Sequence, residues 1–148
     1  MEQSCYVKSP DISENYIVFV SDDDVWRVAR DDDYASRINQ AIRLTGNRHH
    51  VECPKISPDQ KYVAFLSDES GDIDCYLIPM DGGIVSRLTF FGDARIVGWK
   101  DSKTVLVSSA NESFKVPELY EIAIDGSEVV KKKVGAVSYF SEIPRGIA

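Results

Sequence analysis

The chain has 148 residues, 43% hydrophobic and 28% charged, which is the composition of a folded globular domain rather than of a disordered or fibrous chain. Twenty-four acidic against seventeen basic side chains leave a formal charge of −7, which repels phosphate backbones and anionic lipid and excludes nucleic acid as an expected partner. No run approaches the roughly 20 apolar residues of a membrane helix, and the opening MEQSCYVKSP has neither a basic cluster nor an apolar h-region, so no membrane association, no secretory signal and a cytoplasmic location are expected.

Taken in chain order, the first element is the apolar run NYIVFVSDD, followed by VWRVARDDD, in which Trp26 stands five residues before Asp31. After it comes DDDYASRINQAIRLT, where Tyr34, Ile38, Ala41 and Ile42 have helical spacing behind acidic residues suited to a helix N-terminus. A short helix or extended loop over 31–42, on the rim and without function, is the expected reading. RLT closes this unit at Arg43, Leu44 and Thr45.

The second unit opens with His49 and His50 and leads into ISPDQKYVAFLSD. Pro58 presets φ for the first central turn position and Asp59 can bond its own backbone, so a tight turn feeds the strand YVAFL. DCYLIPMDGG follows, with Tyr76 five residues before Asp81, and RLT returns at Arg87, Leu88 and Thr89, 44 residues after its first copy. The third unit repeats the order with KTVLVSSAN and LYEIAIDGS, in which Tyr120 again stands five residues before Asp125.

A period in the mid-forties with about four short strands in each unit is the signature of a β-propeller blade. The expected fold is therefore all-β: three four-stranded antiparallel blades over about 4–45, 51–89 and 94–133, a partial propeller, with 134–148 a linker toward a further blade. In the middle unit the strands are expected at 51–57, 62–67, 74–80 and 85–89, with the RLT segments outermost. YVAFL is apolar at every position, as is most of YIVFV, so both faces of these strands should be covered, as stacked blades cover one another. The outward faces of the first and third blades would remain open, which favours self-association, with Phe19 and Val107 as the test positions if they point outward.

Cys5, Cys53 and Cys75 are odd in number and widely spaced, which points to free, mostly buried thiols rather than a disulfide or a metal site. The runs Asp22 to Asp24 and Asp31 to Asp33 lack the alternation, central glycine and later glutamate of a calcium loop and read as acidic turns. His49 and His50 are the only histidines and read as an exposed loop; no G-x-S-x-G, H-E-x-x-H or glycine-rich phosphate loop occurs. Asn111, Glu112 and Ser113 form a glycosylation sequon that should stay unmodified without a signal peptide. No catalytic, cofactor-binding or metal residue is assigned, and no cofactor is expected.

Ser57-Pro58-Asp59, Ala64-Phe65, Ser67, Tyr76, Asp81-Gly82-Gly83 and Arg87-Leu88-Thr89 together resemble the propeller repeat of tricorn proteases, the Tol-system propeller protein and some prolyl-oligopeptidase relatives. More narrowly, YVKSPDISENYIVFVSDDDVWRVA at 6–29 and RIVGW at 95–99 resemble the first blades of the six-bladed N-terminal propeller of a tricorn core protease, and SEIPRG at 141–146 is similar to the linker into its next blade. The resemblance implies a non-catalytic part of a cytosolic serine peptidase that shapes a peptide passage and docks other domains. Its implied partners are the remaining blades and protease domains of the same protein, or a second copy, with oligopeptides passing through. That family's catalytic residues lie in C-terminal domains, and none matches a position here. The alternative is a Tol-type protein-binding propeller with no attached enzyme.

Overall fold

The structure is a computed structural model that describes residues 6–30, 41–46, 49–110 and 116–132. Among the described residues, twelve strands form three antiparallel four-stranded sheets, each a meander in chain order. Blade 1 holds β1 (Lys8–Ile12), β2 (Tyr16–Ser21), β3 (Asp24–Ala29) and β4 (Ile42–Arg43). Blade 2 holds β5 (Val51–Ile56), β6 (Tyr62–Ser67), β7 (Asp74–Pro79) and β8 (Ser86–Arg87). Blade 3 holds β9 (Ala94–Asp101), β10 (Thr104–Ser109), β11 (Glu118–Ala123) and β12 (Val129–Lys132). The expected strands of the middle blade recur within a residue or two, and its outer strand is the shortest. Of the 31–42 insert, residues 31–40 lie outside the described residues, as do Cys5, Asp31 to Asp33, Asn111 to Ser113 and 133–148.

Hairpin chemistry sets the registers. Ser57 Oγ accepts the Tyr62 N–H at 3.0 Å and donates to Asp59 Oδ1 at 2.7 Å, while the Gln60 N–H returns to the Ser57 carbonyl at 2.8 Å. The SPDQ turn thus satisfies its own backbone before β6 begins. Between β2 and β3 the two-residue loop Asp22-Asp23 has both φ positive, at 51° and 58°, the twist that a two-residue hairpin requires.

Each innermost strand is bulged at the same point. The register of β1 against β2 shifts between Lys8 and Asp11, with Ser9 at φ 52°, and that of β5 against β6 shifts between Glu52 and Lys55, with Cys53 at φ 51°. Pro10 and Pro54 follow directly, where a missing N–H costs no ladder bond. In β9 the corresponding irregularity falls at Val97-Gly98, opposite the step from Leu106 to Val107. The inner edge is thereby twisted and blunted against stray pairing.

The blades stack through two apolar seams. Val18, Val20 and Val25 of blade 1 meet Val63, Phe65, Tyr76 and Ile78 of blade 2. On the other face of blade 2, Ala64, Leu66, Cys75 and Leu77 meet Val105, Val107, Tyr120 and Ile122 of blade 3. Adjacent inner strands are also tied side chain to main chain, because the Ile56 N–H donates to Asp11 Oδ2 at 2.8 Å and Trp99 Nε1–H to the Lys55 carbonyl at 3.0 Å.

Candidate functional site

A recurring polar latch fastens the outer strand of each of the first two blades. In blade 2, Asp74 is fully buried; its Oδ1 accepts from Thr89 Oγ1 at 2.6 Å and its Oδ2 from Arg87 Nη2 at 2.6 Å. Thr89 Oγ1 in turn accepts the Cys75 N–H at 2.9 Å, and Arg87 Nε donates to the Thr89 carbonyl at 2.9 Å. Blade 1 repeats every bond with Asp24, Arg43, Thr45 and Val25. In blade 3 the positions of Asp74 and Arg87 are taken by Glu118 and Lys131, which still pair. The aspartate is what sequence reasoning missed. Asp24 was read with its neighbours as a surface turn, yet it is 5% exposed because RLT supplies a counter-charge and a hydroxyl to it. Its signal was available as an acid two residues before each of Trp26, Tyr76 and Tyr120.

The functionally informative surface is the set of side chains that each blade turns toward its predecessor. In blade 2 these are Val63, Phe65, Tyr76 and Ile78, and in blade 3 Val105, Val107, Tyr120 and Ile122; none is more than 4% exposed. The equivalent set in blade 1 is Ile17, Phe19, Trp26 and Val28, carried on one face because Ile17 pairs with Val28 and Phe19 with Trp26. All four are only half-buried, and Ile12 beside Ile17 is 64% exposed. Phe19 therefore points outward, as the sequence required of a test position. Val107 does not: it is 0% exposed in the seam against blade 2, because strand parity places it with Phe65 and Phe19 on the predecessor face.

The opposite end differs in chemistry. On the successor face of blade 3, Leu106 and Leu119 are buried with Val97 packed against them, and Glu121 lies between Lys100 at 2.9 Å and Lys132 at 3.0 Å. Burial pushes the Glu121 carboxyl up, but the hydrogen bonds and charges of Lys100 and Lys132 outweigh it and hold the group below the usual carboxylate range.

The remaining candidates fall in place around these seams. His49 and His50 are 45% and 43% exposed at the entry to β5; His50 Nδ1 is 3.2 Å from Asp23 and its Nε2 3.7 Å from Glu52, while His49 is 4.0 Å from Asp68. The groups that meet the two rings are carboxylates, with no hydroxyl or thiol among them, so these contacts do not make a base–hydroxyl or base–thiol pair. No group of three or more His, Cys, Asp or Glu is placed to hold a metal among the described residues. Cys53 and Cys75 are free thiols; burial pushes both up, that of Cys75 far above the ordinary thiol range. No helix among the described residues is long and apolar enough to cross a membrane.

The family model described as the tricorn protease N-terminal beta propeller domain matches residues 4–144. A Tricorn-like protease N-terminal subunit of Sulfurisphaera tokodaii is 33% identical over 144 residues, covering 90% of this chain and 68% of the relative. Tricorn protease homolog 2 of Streptomyces coelicolor is 29% identical over 147 residues, covering 93% of this chain but only 12% of the relative's own length. Among solved structures, the crystal structure of the tricorn protease superposes with a TM-score of 0.77 at 19% identity, over 94% of this chain and 14% of that one, a likeness of fold.

Proposed function

Because this chain belongs to the family of tricorn protease N-terminal β-propeller domains, we propose that it serves as the non-catalytic propeller part of a tricorn-like cytosolic serine peptidase, shaping a passage for oligopeptides and docking the other domains. The observation that carries this reading is the half-covered set Ile17, Phe19, Trp26 and Val28, whose equivalents in the next two blades are all sealed by a preceding blade. A face written in the repeat's own seam chemistry is built to receive another blade. The remaining blades and the protease domains of the same protein supply that cover, and the name of the Sulfurisphaera relative, an N-terminal subunit, supports the division of labour. In their absence a second copy can set its blade 3 against blade 1 of the first, twice over in a two-fold ring, with Glu121 and its two lysines standing where blade 2 presents Leu77 to its neighbour.

Peptidase assays on tri- and tetrapeptide substrates test the proposal. The chain alone should give no turnover, and adding it to the isolated protease part of the same protein should restore or raise turnover there. Hydrolysis by the purified chain alone that vanished in His49→Ala or His50→Ala would place the chemistry in this propeller and overturn the reading.

A further inference from the structure

At one strand position the three blades differ in chemistry: Arg27 in blade 1, Leu77 in blade 2 and, in blade 3, Glu121 with two lysines to meet its charge. Arg27 on β3 occupies the position of Leu77 on β7, a residue 5% exposed in the seam between blades 2 and 3. In the seam between blades 1 and 2 the arginine side chain is likewise mostly covered, at 15% exposure, but its charge is poorly met. Nη2 lies 3.7 Å from Asp81 Oδ1, beyond hydrogen-bond reach, and the buried Nε–H has no partner. The guanidinium rests over the Tyr16 ring, 5.3 Å from its centroid. A covered, charged donor without an acceptor is destabilising, so its presence where leucine suffices next door calls for a role beyond packing.

That role is suggested by what lies beside it. Tyr16, Gln60, Lys61, Tyr62, Pro79, Met80 and Asp81 line a cleft of about 360 Å³ at the same seam. Gln60 is oriented unambiguously: its Oε1 accepts the Asn15 N–H at 2.9 Å and Ser13 Oγ–H at 2.8 Å, so the amide nitrogen is the end left to donate. Lys61 and Gln60 thus bring donors and positive charge to a cleft whose walls are two tyrosine rings, a proline and a methionine, and Arg27 stands directly behind that wall, its guanidinium over Tyr16 and its Nη2 3.7 Å from Asp81, both of which line the cleft. Asp81 is the one carboxylate on the lining, and at 89% exposure it is free to swing away. In a chain of net charge −7 such a concentration of donors is local and specific.

We propose that the cleft between blades 1 and 2 binds an organic carboxylate with an apolar body, its carboxylate taken by Arg27 in place of Asp81 and its body held against Tyr16, Tyr62 and Met80. An oxyanion standing where Asp81 now stands gives Nη2 a close, charge-assisted acceptor in place of one at 3.7 Å, while the buried Nε–H stays out of the ligand's reach.

Titration of the whole chain with phenylacetate, followed by amide NMR shifts, tests this against phenylacetamide and inorganic phosphate. Expected are saturable shifts at Tyr16, Gln60 and Asp81 with phenylacetate, and affinities at least about tenfold weaker for the amide and for phosphate. Arg27→Leu installs the residue that blade 2 carries at this position, so it should fold with an unchanged or higher melting temperature and lose phenylacetate binding. Equal shifts from phenylacetamide, equal shifts from phosphate, or none from phenylacetate would each overturn the proposal. So would an Arg27→Leu variant that kept full binding, or one that melted markedly lower while the wild type bound nothing.

Discussion

Phe65 and Phe19 are the same residue at the same point of the repeat, one with its neighbour blade present and one without. Phe65 is 2% exposed, packed among Val18, Val20, Val25 and Ile78, with its ring 5.9 Å from that of Tyr76 at 24°. Truncation to alanine there removes a buried ring and leaves a cavity, at a cost of about 3–5 kcal/mol. Phe19 is half-buried and opens onto solvent, so Phe19→Ala forfeits roughly half the transfer energy and leaves no closed void, costing about 1–2 kcal/mol. Against a total stability of about 5–15 kcal/mol for a domain, the difference is large. Urea unfolding followed by circular dichroism and by the fluorescence of Trp26 and Trp99 should show the midpoint of Phe65→Ala falling by about 1 M or more and that of Phe19→Ala by much less. Equal losses at the two positions would mean that the Phe19 face is already covered, and the reasoning about an open predecessor face would fail.

The latches should rank by burial: Asp74→Ala leaves Arg87 and Thr89 without their acceptor and should cost about 3–5 kcal/mol, whereas Lys131→Ala, from the more exposed pair of blade 3, should cost at most about 1 kcal/mol in the same urea assay. Glu121 has a depressed folded value, so its contribution is present above the unfolded carboxylate range and is lost as pH falls through the folded one; the stability gap between wild type and Glu121→Gln should close at acid pH, and a gap that widened there would contradict the assignment. Cys75, fully buried and with its thiol pushed up, should resist alkylation until the chain unfolds, while Cys53 reacts slowly in the native state; early labelling of Cys75 by mass spectrometry would argue against an intact second seam.

The architecture was legible because it repeats. The turn SPDQ, the runs YIVFV and YVAFL and the two RLT segments each carried a local signal, and their common spacing converted weak signals into three blades, with the strands of the middle one placed to within a residue or two. What stayed hidden depended on side chains meeting across strands. Asp24 could not be told from Asp22 and Asp23 by composition, since only the fold brings Thr45 and Arg43 to it. The direction of Val107 could not be read from TVLV, because a strand with two apolar faces conceals which face a given residue joins until its register with Ile96 and Tyr120 is known. Arg27 was passed over inside VWRVA for a similar reason: its meaning appears only when it is aligned with Leu77.

The most direct test of a propeller part built to be covered is the mass, by light scattering, of this chain mixed with the further blades and protease domains that the proposed function implies. A stoichiometric complex is expected, abolished by Phe19→Asp but not by Ile84→Asp, which alters an isolated exposed side chain. Two species that stay separate at tens of micromolar, with the chain a stable monomer that binds no hydrophobic dye, would contradict it.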